Sequence, residues 1–176
     1  MTKSVEFFFD LGSPATYLAY TQLPGICEQT GSELIYRPML LGGVFKATGN
    51  ASPATIAAKG HYLFVDLSRY ANRYGVAFRL NPHFPINTLL LMRAVTGVQM
   101  HHPERFLDFI DCLFRALWVD GRNLNDPAVV AAVLAEHGFD ELDAPIRRLN
   151  GLHSPTPYSP PLETAVVPGV AEITAA

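Results

Sequence analysis

"FFFDLGSPATYLAY", Phe7 to Tyr20, puts an apolar run, a turn and a helix start into one short stretch centred on Ser13-Pro14. Val5 to Phe9 is rich in β-formers and reads as a short buried strand, ended by the turn residues Asp10, Gly12 and Ser13. From Pro14 the spacing changes. Tyr17, Leu18, Leu23, Ile26 and Cys27 recur near the helical period, with an interruption expected at Pro24-Gly25 and a C-cap at Gly31. Glu33 to Leu41 returns to an extended pattern. The sum is a β-α-β unit over residues 1–43, whose two strands should run parallel with a right-handed connection.

After Gly42-Gly43 the signals are helical for about a hundred residues, which marks residues 44–142 as an all-helical domain. Ile56, Leu63, Leu67, Tyr70 and Tyr74 fall on one helix face that Gly75 stops. "RLNPHFP", Arg79 to Pro85, must be extended, because Pro82 and Pro85 each bias the residue before them away from helix. Asn87 to Val95 reads as a short apolar helix. Pro103 opens another, with Phe106, Phe109, Ile110, Leu113, Phe114 and Leu117 as its inner stripe and Trp118 beside them in the core. Asp126 and Pro127 form an N-cap and N1 pair for Ala128 to His137, which ends at Gly138. Residues 143–176 differ: Pro155, Pro157, Pro160, Pro161 and Pro168 interrupt any periodicity, so this tail is expected to be mostly irregular.

The chain has 176 residues, 49% hydrophobic and 16% charged. A chain of this size buries roughly 70% of its extended surface on folding. Net charge is −3, and Lys and Arg form no stripe that would neutralise phosphates, so nucleic acid is not an expected partner. No apolar run reaches the length of a membrane span or of a secretory signal, so no membrane partner and a cytoplasmic location are expected. Cys27 and Cys112 are the only cysteines and lack metal-ligand spacing. Both are expected to be small buried hydrophobes. His101-His102, without a nearby Cys or HExxH pattern, reads as a surface pair, and no metal is expected. Arg37, on a strand that looks buried, should find a carboxylate or carbonyl partner.

Ser13 has two readings. A Ser before a Pro at the first helical position is a good N-cap, worth about 1 kcal/mol. The same placement puts a hydroxyl at the positive end of a helix dipole directly after a strand, where an anion is stabilised. The residues alone leave both open.

"FFFDLGSPATYLA", "RPMLLGGVFKATGN" (Arg37–Asn50) and "FRLNPHFPINTLLLMRA" (Phe78–Ala94), in that order, resemble the 2-hydroxychromene-2-carboxylate isomerase family. That family is close to kappa-class glutathione transferases within the DsbA-like thioredoxin superfamily. The likeness covers about Val5 to Phe139 and implies an α/β thioredoxin-like fold with an all-helical insertion. Redox members of the superfamily carry C-P-x-C at this turn; here it reads Ser13-Pro14-Ala15-Thr16. Thiol–disulfide exchange needs an attacking thiolate and cannot run on this turn, and the resemblance implies that glutathione supplies the sulfur as cofactor.

The resemblance implies that Ser13 hydrogen-bonds the glutathione sulfur and favours its thiolate. It assigns glutathione contacts to Ser13, Pro14, Ala15 and Asn50, and places Lys46 and His83 at the pocket of a small aromatic keto-acid substrate. Asn50 could equally be a turn residue tolerant of a left-handed backbone, Lys46 a solvated lysine and His83 a turn histidine. The implied reaction is cis to trans isomerisation in aromatic catabolism by reversible thiolate addition. A kappa-like transferase would use the same serine but release a conjugate, and a catalytically impaired remnant is the alternative outside catalysis. Relatives are commonly homodimers.

The family's last third should return to the thioredoxin sheet with a cis-proline loop, two strands and a closing helix. Those features are not recognisable after about Leu142, so the C-terminal half of the sheet is expected to be missing or altered, as a change of reading frame would cause. Without it, the two-stranded unit would expose a strand edge and an apolar face.

Overall fold

A computed structural model of the chain describes residues 3–139. Strand β1 (Ser4–Phe9), helix α1 (Pro14–Thr30) and strand β2 (Glu33–Pro38) form the expected β-α-β unit. The strands are parallel and in register from Ser4 opposite Glu33 to Phe9 opposite Pro38. Five further helices follow: α2 (Leu41–Thr48), α3 (Ala57–Tyr74), α4 (Leu89–His101), α5 (Phe106–Trp118) and α6 (Pro127–Glu136). The tail of 143–176, the expected loss of the C-terminal half and the frame change lie outside the described residues.

Alternation along β1 decides which face of the sheet is covered. Phe7 and Phe9 are buried against rings from two other elements, with Phe9 6.2 Å from Phe114 and 6.4 Å from Phe106 on α5, and Phe7 6.1 Å from Tyr36 on β2. Phe8 points the other way and is 56% exposed. Glu6 and Arg37 share that outer face and meet at 2.7 Å. Arg37 therefore has the expected carboxylate, but both side chains are about half exposed (51% and 46%), so the pair adds little stability. Among the described residues β1 has no strand on its other edge. The outer edge of β2 is met by α4, where the Gln99 side-chain amide donates to Tyr36 O at 3.0 Å.

Helix α5 is the centre of the core. The six residues of its expected stripe are all buried, and Cys112, Ala116 and Trp118 join them, so the helix is open only along the face of Leu107, Asp108, Asp111 and Arg115. Four helical expectations are corrected. Helix α1 runs through Pro24 without interruption, because burial of Tyr17 and Leu18 before it and Cys27 after it offsets the lost backbone bond, and Ile26 is 52% exposed. Extended chain stops at Pro38 and not at Leu41, and Gly42-Gly43 lies inside α2.

The third correction concerns α3, whose buried line is Gly60, Leu67 and Ala71. Small residues allow close approach there, with Gly60 so near Ala54 that an added Cβ would sit 3.3 Å from its Cα. Ile56, Tyr70 and Tyr74 are exposed, the two tyrosine rings lying against each other at 5.8 Å. Finally, α4 begins at Leu89, whose N–H donates to Asn87 Oδ1 at 3.2 Å, and it continues to His101 because Val98 is still buried.

Trp118 ties this core to the first loop: it is fully buried and its Nε1–H donates to Leu11 O at 2.8 Å. Trp118→Phe should cost about 1–3 kcal/mol, since it leaves that carbonyl unpaired in the core. Urea unfolding should show a lower midpoint with unchanged slope.

Candidate functional site

The turn between β1 and α1 is held from several sides. Ser13 N–H donates to Asp10 O at 3.1 Å, closing the reversal. Asp10 is buried, and its Oδ1 accepts from Gly12 N–H at 2.9 Å while its Oδ2 accepts from Leu41 N–H at 2.7 Å. Leu11 is fully buried, and its N–H points at Met92 Sδ at 3.4 Å. Gly12 must be glycine here: an added Cβ would lie 2.8 Å from Thr88 Cγ2. The turn is thus wedged between β1, α2, the start of α4 and the end of α5.

Ser13 sits at the mouth of this turn in extended conformation and is partly exposed. Its Oγ accepts from Thr16 N–H at 3.2 Å, so the capping role is real. That bond uses a lone pair and leaves the hydroxyl proton available to a second partner. Pro14 has no N–H, and the Ala15 N–H finds no acceptor among the described residues. A hydroxyl proton and a free backbone N–H therefore stand together at the positive end of a helix of 17 residues, an arrangement suited to an anionic sulfur.

The other expected site residues are distributed as follows. Lys46 is exposed in the last turn of α2, where a cation is favourable to the helix dipole. Asn50 is exposed just past α2; the left-handed position is Gly49 (φ 68°), so Asn50 is not needed for backbone strain, and its Oδ1 accepts from Ala51 N–H at 2.8 Å. His83 is exposed on the segment between α3 and α4, its backbone N–H donating to Asn81 Oδ1 at 2.8 Å. No hydrogen bond or ion pair among the described residues joins Ser13 to Lys46, Asn50 or His83. What links Ser13 to α2 is Asp10.

Two polar residues around the site were not singled out from sequence. Asp10 looked like an ordinary turn residue; the available signal was an acid at a strand end, followed by a helix whose N-cap, Leu40, offers no side-chain acceptor. Asn81 is 2% exposed and donates to Leu117 O at 3.0 Å and Arg122 O at 2.9 Å, which fastens the His83 segment to the end of α5. His102 stands 3.8 Å from Glu104 on the surface, and the described residues contain no cluster that could hold a metal. No described helix is long and apolar enough to cross a membrane.

With that geometry in place, residues 4–148 match the DSBA-like thioredoxin domain. The chain belongs to the DsbA-like thioredoxin family. The 2-hydroxychromene-2-carboxylate isomerase of Sphingobium xenophagum is 37% identical over 131 residues, 72% of this chain and 65% of that protein. Glutathione S-transferase kappa 1 of Homo sapiens is 26% identical over 148 residues, 79% of this chain and 64% of that protein. The chain thus spans slightly under two thirds of these relatives' lengths. A solved structure of 2-hydroxychromene-2-carboxylate isomerase superposes with a TM-score of 0.66 at 27% identity, covering 78% of this chain and 66% of the other. A separate short likeness, 51% over 39 residues, is to the acetoin:2,6-dichlorophenolindophenol oxidoreductase subunit beta of Bacillus subtilis, covering 22% of this chain and 11% of that subunit.

The DsbA-like frame here carries no thiol of its own at the turn. Cys27 and Cys112 are both free and buried, and burial pushes the Cys112 thiol up to about 12. Ellman's reagent should therefore find almost no reactive thiol in the native protein at pH 8 and two after denaturation in guanidinium.

Proposed function

We propose that this chain is a glutathione-dependent isomerase of the cytoplasm. It would convert the cis, ring-opened form of 2-hydroxychromene-2-carboxylate or a similar aromatic keto acid to its trans isomer, working as a homodimer in aromatic catabolism. The observation that carries this reading is the Ser13 turn: a capped but proton-bearing hydroxyl beside an Ala15 N–H that has no acceptor among the described residues, with no cysteine at either position of the turn. The 37% identity to the Sphingobium xenophagum isomerase, against 26% to the human kappa transferase, supports isomerisation over conjugation.

Glutathione, when bound, supplies the sulfur nucleophile that adds reversibly to the activated double bond and is regenerated. The chain's own residues do the rest. Ser13 donates its hydroxyl proton to the sulfur anion, while its Oγ stays anchored by Thr16 N–H, so the donor is already oriented. The aligned peptides of α1 and the Ala15 N–H add positive potential at the same point, and together they lower the thiol pKa. Pro14, buried at the first helical position, presets the backbone for this start without competing for a donor. Asn50, past the end of α2, would hydrogen-bond the tripeptide away from its sulfur. Lys46 and His83 would meet the carboxylate of the keto acid, a charge-assisted contact.

Ser13→Ala separates chemistry from capping. Loss of the cap should cost about 1 kcal/mol of stability. Loss of a donor to a developing charge should lower turnover by about a hundredfold. The assay follows the cis to trans spectral change with glutathione measured before and after. Unchanged glutathione supports isomerisation, and stoichiometric loss moves the assignment to a transferase. Absence of both, in a folded chain that gives no heat with glutathione, makes it a non-catalytic remnant.

A further inference from the structure

We propose that Asp10 is a positioning residue: by accepting from Gly12 N–H and Leu41 N–H at once, its carboxylate sets the spacing between the Ser13 turn and helix α2. The inference rests on the glutathione site proposed above, whose two halves are Ser13-Pro14-Ala15 on one element and Asn50 beyond another. Between them the described hydrogen bonds contain one bridge with a side chain in it. Asp10 Oδ1 reaches forward to Gly12 at 2.9 Å, and Oδ2 reaches across the chain to Leu41 at 2.7 Å.

The bridge is unusual in what it replaces. Leu41 opens α2, and its N-cap residue, Leu40, has no side chain able to accept a bond, so Asp10 caps α2 from a position 31 residues earlier. A local Ser or Asp at position 40 would cap the helix equally well, but it would leave α2 independent of the first turn. Because Asp10 is only 2% exposed and both oxygens are engaged, it has little freedom to relax. The turn side is equally rigid, with Gly12 against Thr88 and Leu11 bonded to Trp118 and Met92. Movement of α2, and with it Lys46 and Asn50, is thereby referred to Ser13. Binding sites whose halves are held in register lose less freedom when the ligand arrives.

Asp10→Asn keeps the shape but replaces one acceptor by an NH₂ donor, so one of the two N–H groups loses its partner. The test compares the full-length wild type, Asp10→Asn, and Asp10→Asn combined with Leu40→Ser, which restores a local cap to α2 without the tether. Glutathione affinity is read by calorimetry, stability by urea unfolding, and the Gly12 and Leu41 amides by hydrogen exchange. Asp10→Asn should weaken glutathione binding about tenfold or more and deprotect one of the two amides. Adding Leu40→Ser should recover stability and Leu41 protection but not affinity.

Recovery of affinity together with stability would overturn the proposal, because capping alone would then suffice. So would unchanged affinity in Asp10→Asn, or a double variant that fails to fold. Additive affinity losses in Asp10→Asn and Asn50→Ala would also count against it, since residues acting through one element couple. If the wild type itself binds no glutathione, the site assignment fails. The tether is then judged by the amides alone: native protection lost in Asp10→Asn supports it, and unchanged protection overturns it.

A different observation carries a second inference. We infer that the end of this chain descends from a different protein, of the class of the oxidoreductase β-subunit that it matches at 51% over 39 residues. That identity exceeds the 37% to the isomerase, and the motifs shared with isomerases end near Phe139, after which 37 residues follow. A frame-shifted isomerase tail has no reason to be half identical to any protein, so a likeness placed in the tail would speak against the change of reading frame. Sequencing the genomic locus and aligning the residues after Phe139 by themselves decides it. The 39-residue likeness should fall at the boundary and beyond it, in one open frame. A likeness lying within residues 3–139, or a locus that continues in isomerase-like codons, overturns it.

Discussion

A buried carboxylate that must satisfy two backbone donors is the constraint on which the rest of this structure is arranged. Asp10 stands where β1 ends, and each of its oxygens closes a different reversal of the chain: the turn into α1 and the turn into α2. Desolvating an ionised carboxylate is costly unless its lone pairs are occupied, so the two turns and the acid stabilise one another and none is optional. That reciprocity explains why β2 stops at Pro38 and the chain bends into helix at once, although the local residues have extended character.

Around that point the core supplies rigidity. Trp118 and Met92 come from α5 and α4, yet both make polar contacts with the backbone of Leu11, one residue after the acid. Asn81 does the same service for the segment that bears His83, bonding the end of α5 on one side and His83 N–H on the other. Buried polar groups with all partners present specify a single arrangement, since any shift leaves a donor or acceptor unpaired. The helical part of the molecule is therefore not only a lid over the β-α-β unit. It supplies the side chains that hold the first turn in place.

The chemistry follows from what that turn lacks as much as from what it has. Where redox relatives need a thiolate, this chain presents a hydroxyl that is already engaged as an N-cap acceptor through Oγ and can still donate its proton. Its two thiols are both buried, and burial pushes the Cys112 thiol up, away from thiolate chemistry. The two readings of Ser13 are compatible: the capping bond leaves the hydroxyl proton available for the glutathione contact proposed for it.

The β-α-β unit, the broad placement of the helices and the position of Ser13 could be read from the residues alone. Period-2 and period-3.6 apolar patterns and the cap residues Ser13, Gly31, Gly75 and Asp126 are local properties of the chain. The likeness to the isomerases also came from short contiguous motifs. Two of the departures depended on burial or partners that only the fold supplies: Pro24 is tolerated because of burial on both sides of it, and Leu41 is helical because of Asp10. Residue order determined which elements form and where the hydroxyl stands at the first helix. Only tertiary structure decided that an acid at the end of one strand would cap a helix beyond the next, because a carboxylate binds whichever N–H the fold brings within 3 Å, regardless of separation along the chain.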